Sequence, residues 1–112
     1  GSLSPEDMPK CHKDPDFLAA ISARPSIRKK TILNLLDGLR GTYRRGVPWY
    51  WGGLILSRDP LAAEATALDA INERRAQDKV ARLPLPEALT LAERKYHLGT
   101  TRKAKIELVK VD

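Results

Sequence analysis

One cysteine, Cys11, stands in the 112 residues, so the chain on its own can form no internal disulfide, no CxxC redox pair and no iron–sulfur ligand set. It is also poor in histidine: His12 and His97 are too far apart in sequence to suggest a metal pair, and Cys11-His12 lies in a loose, proline-marked stretch. No apolar run approaches the ~20 residues needed to span a bilayer, and nothing near the start has the build of a secretory signal. Gly1-Ser2 reads as a remnant of tag removal, which leaves the compartment open. Ser57 has neither a Gly-x-Ser-x-Gly setting nor a histidine placed as its base, so serine-nucleophile catalysis has no support. Helix-turn-helix, zinc-finger and RNA-sheet signatures are missing too, which argues against sequence-specific nucleic-acid binding.

What is present is an ordinary globular composition, 42% hydrophobic and 30% charged. Its length allows one core and no second domain, with residues 1–15 expected as an extended lead-in and 16–112 as the domain. The net charge of +6 is spread over residues 24–30, 40–45, 74–82 and 94–110, which favours weak attraction to anions without naming a partner.

Phe17, Leu18 and Ile21 predict a short helix over 16–23, capped by Asp14 or Asp16 and ended by Pro25. The run TILNLL over 31–36 predicts a buried strand, bounded by Asp37-Gly38. Residues 40–53 hold four glycines, a proline, three arginines and the Trp49-Tyr50-Trp51 cluster without periodicity, and read as a long loop. Leu54 to Leu56 predict a second strand, and Asp59-Pro60 a helix start whose stripe, Leu61, Ala65, Leu68 and Ile71 or Asn72, extends to residue 77. A break at 83–86 precedes a second helix over 86–97 with Gly99 as its stop, and KIELVKV over 105–111 predicts a closing strand. A strand, two helices and a strand make a right-handed crossover, so the expected fold is α/β: a small mixed or parallel sheet of about three strands with two or three packed helices.

Chemistry is expected where strands end. If the two strands lie side by side and point the same way, Asp37, Arg40, Arg58 and Asp59 face one crevice. That crevice could take a divalent cation through Asp37 and Asp59, or an anion through the arginines and the helix N-terminus. The plainer alternative makes Asp59 an N-cap and Asp37 a turn former. Arg44, Arg45, Trp49 and Trp51 suit a lid or partner-docking loop, or else the indoles fold inward as core anchors.

The segment LILSRDPLAAEATALDAINERR resembles the SRDPVAVDAVA-type segment of the family catalogued as domain of unknown function number 362. The upstream ILNLLDGLRG and the downstream LAERKYHLGTTRKAKIELVKV are similar to that family's strand ending in an Asp pair and to its closing helix, turn and strand, so the likeness covers about residues 30–111. Asp37, Arg58, Asp59 and Pro60 match the pattern, whereas Glu64 stands where Asp is usual and His97-Leu98-Gly99 replaces a Gly-Leu-Gly turn. The resemblance implies the C-terminal portion of a longer, iron–sulfur-associated or redox-linked protein that completes a ligand site with upstream residues. The cofactor it implies is a cluster held elsewhere in that protein, with none in this chain, and the implied partner is the remainder of the polypeptide. A metal-dependent enzyme using Asp37 and Asp59, and a basic docking module for an acidic partner or nucleic acid, are the alternatives. Self-association through a bare strand edge or the 49–51 loop is expected.

Overall fold

Two antiparallel ribbons and four helices make up the described part of the chain, residues 3–44 and 47–111 of a computed structural model. A 3₁₀ helix, Met8–His12, leads into α1 (Pro15–Ala23) and a single further turn, α2 (Pro25–Arg28). The stretch expected to be an extended lead-in is therefore partly ordered, and the Arg24 guanidinium reaches Asp7 at 3.5 Å to hold it on α1. Asp14, not Asp16, caps α1 by accepting the Phe17 N–H at 3.0 Å. Asp16 serves tertiary structure, accepting from the Lys95 ammonium at 2.7 Å and the Tyr96 hydroxyl at 2.9 Å, and so ties α1 to the end of α4 (Glu87–Arg94). Arg28 adds to this joint by donating to the Tyr96 and His97 carbonyls that α4 leaves unpaired.

Strand β1 is Asn34–Gly38, three residues later than the apolar run begins. Thr31 is held back because its N–H and its hydroxyl both bond to the Ile27 carbonyl and complete the turn of α2. Residues 40–53, read as a loop, contain a second ribbon: β2 (Gly41–Arg44) pairs antiparallel with β3 (Val47–Trp49). Their periodicity is invisible because the strands are three or four residues long, slip register between Thr42 and Arg44, and carry Pro48 on an edge. Strand β4 (Gly53–Ser57) then returns antiparallel to β1, pairing Leu35 with Leu56 and Asp37 with Leu54.

Helix α3 (Pro60–Gln77) is bounded as its sequence predicts, and it packs against β1 and β4. The coarse α/β reading holds, while the parallel or mixed three-stranded sheet does not: each sheet has two antiparallel strands. The expected last strand is missing because its ladder is missing. After a 3₁₀ turn at Lys103–Lys105 the chain runs extended from Ile106, and among the described residues no strand pairs with it, so the β–α–α–β crossover is not closed.

The buried core is small. Ala19, Leu61 and Ala92 form its centre, with Leu89, Leu91, Tyr96 and Leu98 packed around them where α1, α3 and α4 meet. The accessible surface is 8529 Å², against about 6,200 Å² expected for a compact monomer of 12.5 kDa. One group of exposed apolar side chains shares a face. Alternation turns Leu36 and Ile55 toward α3 and leaves Leu35, Leu54 and Leu56 on the opposite side of the ribbon, 59%, 52% and 58% exposed, with Leu33 extending the row.

Candidate functional site

The inner face of the β1–β4 ribbon, α3 and the β2–β3 ribbon enclose a cleft of about 250 Å³. Its floor is aliphatic, with Leu36 and Ile55 from the ribbon and Ala67, Ala70 and Ile71 from the helix, while Trp49 and Trp51 form walls and Arg40 stands at the mouth. Glycines build it. Gly38 and Gly53 are a cross-strand pair, and a Cβ on either would overlap the Trp51 ring, which therefore lies flat across backbone that carries no side chain. Gly41 does the same for Trp49, its pairing partner, since an added Cβ would sit 2.9 Å from the indole nitrogen. The two indoles are neither free lid residues nor buried anchors: Trp51 is 40% exposed and Trp49 half-buried, with the Arg74 guanidinium 6.0 Å from the Trp49 ring.

The crevice shared by Asp37 and Asp59 does not form. Because β1 and β4 run antiparallel, Asp37 sits beside Leu54 near the start of β4 and Asp59 beyond its end, with about 10 Å of strand and then Arg58 between them, too far to ligate one ion. Asp37 is an exposed turn former whose Oδ1 accepts the Leu39 N–H at 2.8 Å. Arg40 stacks its guanidinium 5.6 Å from the Tyr50 ring centre at the Asp37 end. Arg58 is exposed at the opposite end, where its carbonyl and that of Ser57 accept from the Asn34 amide. Of the four, Asp37 and Arg40 are brought together and Arg58 and Asp59 are brought together. Arg45 and the Arg44 side chain lie outside the described residues.

Asp59 is an N-cap and also more than that. Its Oδ1 accepts from the N–H groups of Leu61 and Ala62 at 2.8 and 2.9 Å, and its Oδ2 accepts the Thr100 N–H at 2.9 Å. That third bond clasps the loop after α4 onto the start of α3. The contact requires Gly99, whose φ is +153° and whose missing Cβ leaves the space that the Asp59 carboxylate fills. Glu93 holds the same loop from the other side, accepting from both hydroxyls and one N–H of Thr100 and Thr101 and facing Arg102 at 3.5 Å. Gly99 is visible in the sequence only as a helix stop, a task that His97 performs at φ +52° while the Leu98 N–H bonds back to the Ala92 carbonyl at 3.0 Å. Glu93, Thr100 and Thr101 carry no local signal, since their meeting depends on how α4 docks.

The Thr101 hydroxyl and N–H, the Thr100 hydroxyl and the nearby Arg102 hold the Glu93 carboxyl below its ordinary value, against a smaller opposing effect of burial. A carboxylate with a depressed folded value stabilises the fold above the unfolded value and loses that contribution as pH falls through the folded one. Hydrogen-exchange protection at residues 98–102, taken relative to the intrinsic rate at each pH, is therefore expected to fall on acidification below the usual glutamate range, and Glu93→Gln is expected to flatten this response. A loop whose exchange follows the same acid profile in both proteins would count against the clasp.

Comparison with family models, with curated proteins and with solved structures finds no match to this chain.

Proposed function

We propose that this chain is a non-catalytic lobe of a longer α/β protein and completes a ligand site together with a neighbouring polypeptide segment. The observation that carries the reading is the outer face of the β1–β4 ribbon. A two-stranded ribbon with one row of leucines facing solvent is marginal alone, and such faces are stable when a further layer covers them. The extended, ladderless segment from Ile106 to Val111 supports the same reading, because alternating β-branched sequence of this kind is stable as a strand when another edge pairs with it. The resemblance over residues 30–111 makes the neighbour the upstream part of an iron–sulfur-associated or redox-linked protein.

The alternative metal enzyme loses its paired carboxylates to the antiparallel register. The basic docking module has less to rest on than a charge of +6 suggests. Among the described residues at least seven basic side chains, Arg24, Arg82, Lys95 and Lys103 among them, meet carboxylates within 4 Å and break the charge into paired spots.

The double substitution Leu35→Thr with Leu56→Thr tests the proposal. Because none of the described residues covers these side chains, the unfolding free energy at concentrations where the chain is monomeric is expected to stay within about 0.5 kcal/mol of the parent. Sedimentation is expected to show self-association of the parent through this face and its loss in the variant. A loss of stability of about 2 kcal/mol or more would mean that the leucines are already packed, and the reading would fall.

A further inference from the structure

The two tryptophans of the chain, Trp49 and Trp51, face one aliphatic floor, and among the described residues no carboxylate forms an ion pair with Arg40, the cation at the mouth of their cleft. Arg40 is exposed and rests on the Tyr50 ring, whereas Arg74, a guanidinium against the Trp49 ring, is bound to Asp78 at 3.0 Å. Asp37 also lines the cleft; it is exposed to solvent, and its Oδ1 is taken by the Leu39 N–H. We infer that the cleft between the ribbons and α3 is a binding site for a flat aromatic anion of one or two fused rings, its ring plane against the indoles and its anionic group at Arg40. The inference extends the reading of the chain as a binding lobe, yet it concerns the inner face of the ribbon, where that reading is argued from the outer one.

Size, shape and charge each narrow the ligand. A dry cavity of about 150 Å³ suffices for benzene, so 250 Å³ takes a bicyclic ring system and excludes a whole dinucleotide. The glycines at 38, 53 and 41 keep the indoles flat against backbone, which leaves slot-like walls that favour a planar guest over a puckered one. Apart from Asp37 and Arg40 the lining is apolar side chains, indoles and glycine backbone, which suits an aromatic ring better than a hydroxyl-rich ligand such as a sugar. At the mouth, a guanidinium stacked on tyrosine is pre-oriented to pair with a carboxylate or sulfonate at the ring edge, and the positive net charge favours an anion there.

The test uses naphthalene-2-sulfonate, with cyclohexanesulfonate and 2-naphthylmethylammonium as the non-planar and cationic controls. Calorimetry gives affinity, and the indole N–H resonances, one from each tryptophan, report contact with the cleft wall. Saturable shifts of both indoles by naphthalene-2-sulfonate are expected, with each control at least fivefold weaker. Arg40→Gln is expected to weaken the sulfonate at least fivefold and to bring it level with the cationic control. Ala70→Phe fills the cleft and is expected to abolish binding while its spectrum stays dispersed; where it does not fold, Ala67→Leu takes its place. The inference is overturned by the absence of saturable shifts at millimolar ligand, by either control binding as well as the planar anion, or by undiminished binding to the folded cleft-filling variant. Each of those results leaves the Leu35 and Leu56 experiment unaffected, so the two readings fail separately.

Discussion

Gly99→Ala is expected to lower the stability of the isolated chain by about 3 kcal/mol, more than its place in a loop suggests. Two costs combine. A φ of +153° is a conformation that an L side chain rarely adopts, and the new methyl would occupy the space of the Asp59 carboxylate. Asp59 must then swing away and release three N–H groups: two at the start of α3, worth about 1 kcal/mol as a cap, and that of Thr100, a charge-assisted bond of similar size or larger. In a chain of this length a loss of 3 kcal/mol lowers the melting midpoint by roughly 10 °C. The effect should be coupled: with Asp59→Ala already in place, the clash is gone, and Gly99→Ala should cost clearly less than in the parent. Thermal and denaturant unfolding of the parent, both single variants and the double variant measures this cycle. Strict additivity would show that the glycine acts through its backbone alone, and a single-variant loss below about 1 kcal/mol would remove the clasp from the account.

The limits of what could be read from residues follow the same division between local and non-local causes. Helix α3 is legible from end to end because its determinants are neighbours in sequence: Asp59 and Pro60 set the start, and the apolar spacing carries it to Gln77. The two longer strands are legible as apolar runs, yet their direction is not. Whether β1 and β4 run parallel depends on what separates them, and the intervening residues conceal a ribbon too short and too irregular for a period to emerge. One wrong direction then moves Asp37 and Asp59 from one crevice to opposite ends. The cleft is half legible: a Trp-Tyr-Trp cluster among glycines stands out in the sequence, whereas the particular match of Trp51 to Gly38 and Gly53, and of Trp49 to Gly41, exists only once register is known. The last segment, 105–111, has strand composition without a strand, because composition sets a preference and a ladder needs a partner edge that no described residue supplies.

Asn72 presents the remaining large effect, and it too is a tertiary role hidden in a helical pattern. It is 4% exposed on the buried side of α3, where the stripe calls for an apolar residue. Its amide donates to the Leu83 carbonyl at 3.0 Å and its Oδ1 accepts the Leu83 N–H at 2.7 Å, so one side chain satisfies both backbone groups of a residue in the break between α3 and α4. That pairing imitates a strand neighbour and fixes where the chain turns back. Asn72→Leu keeps the size and supplies the missing hydrophobicity, yet it strands both groups and is expected to cost about 2 kcal/mol. Asn72→Asp separates the two bonds. A carboxylate still accepts from Leu83 N–H but faces the Leu83 carbonyl without a proton to give, and burial further disfavours its charge, so the folded pKa of the new group should lie above its unfolded value. A raised folded value means stability that is complete below the unfolded pKa and lost as pH rises through the folded one. Relative to the parent at the same pH, the aspartate variant is therefore expected to lose about 3 kcal/mol at pH 7 and clearly less at about pH 4. Denaturant unfolding of parent and both variants at the two pH values decides it. A leucine variant as stable as the parent would show that water replaces the asparagine at Leu83, and an aspartate variant with no pH dependence would show that position 72 is not closed to solvent.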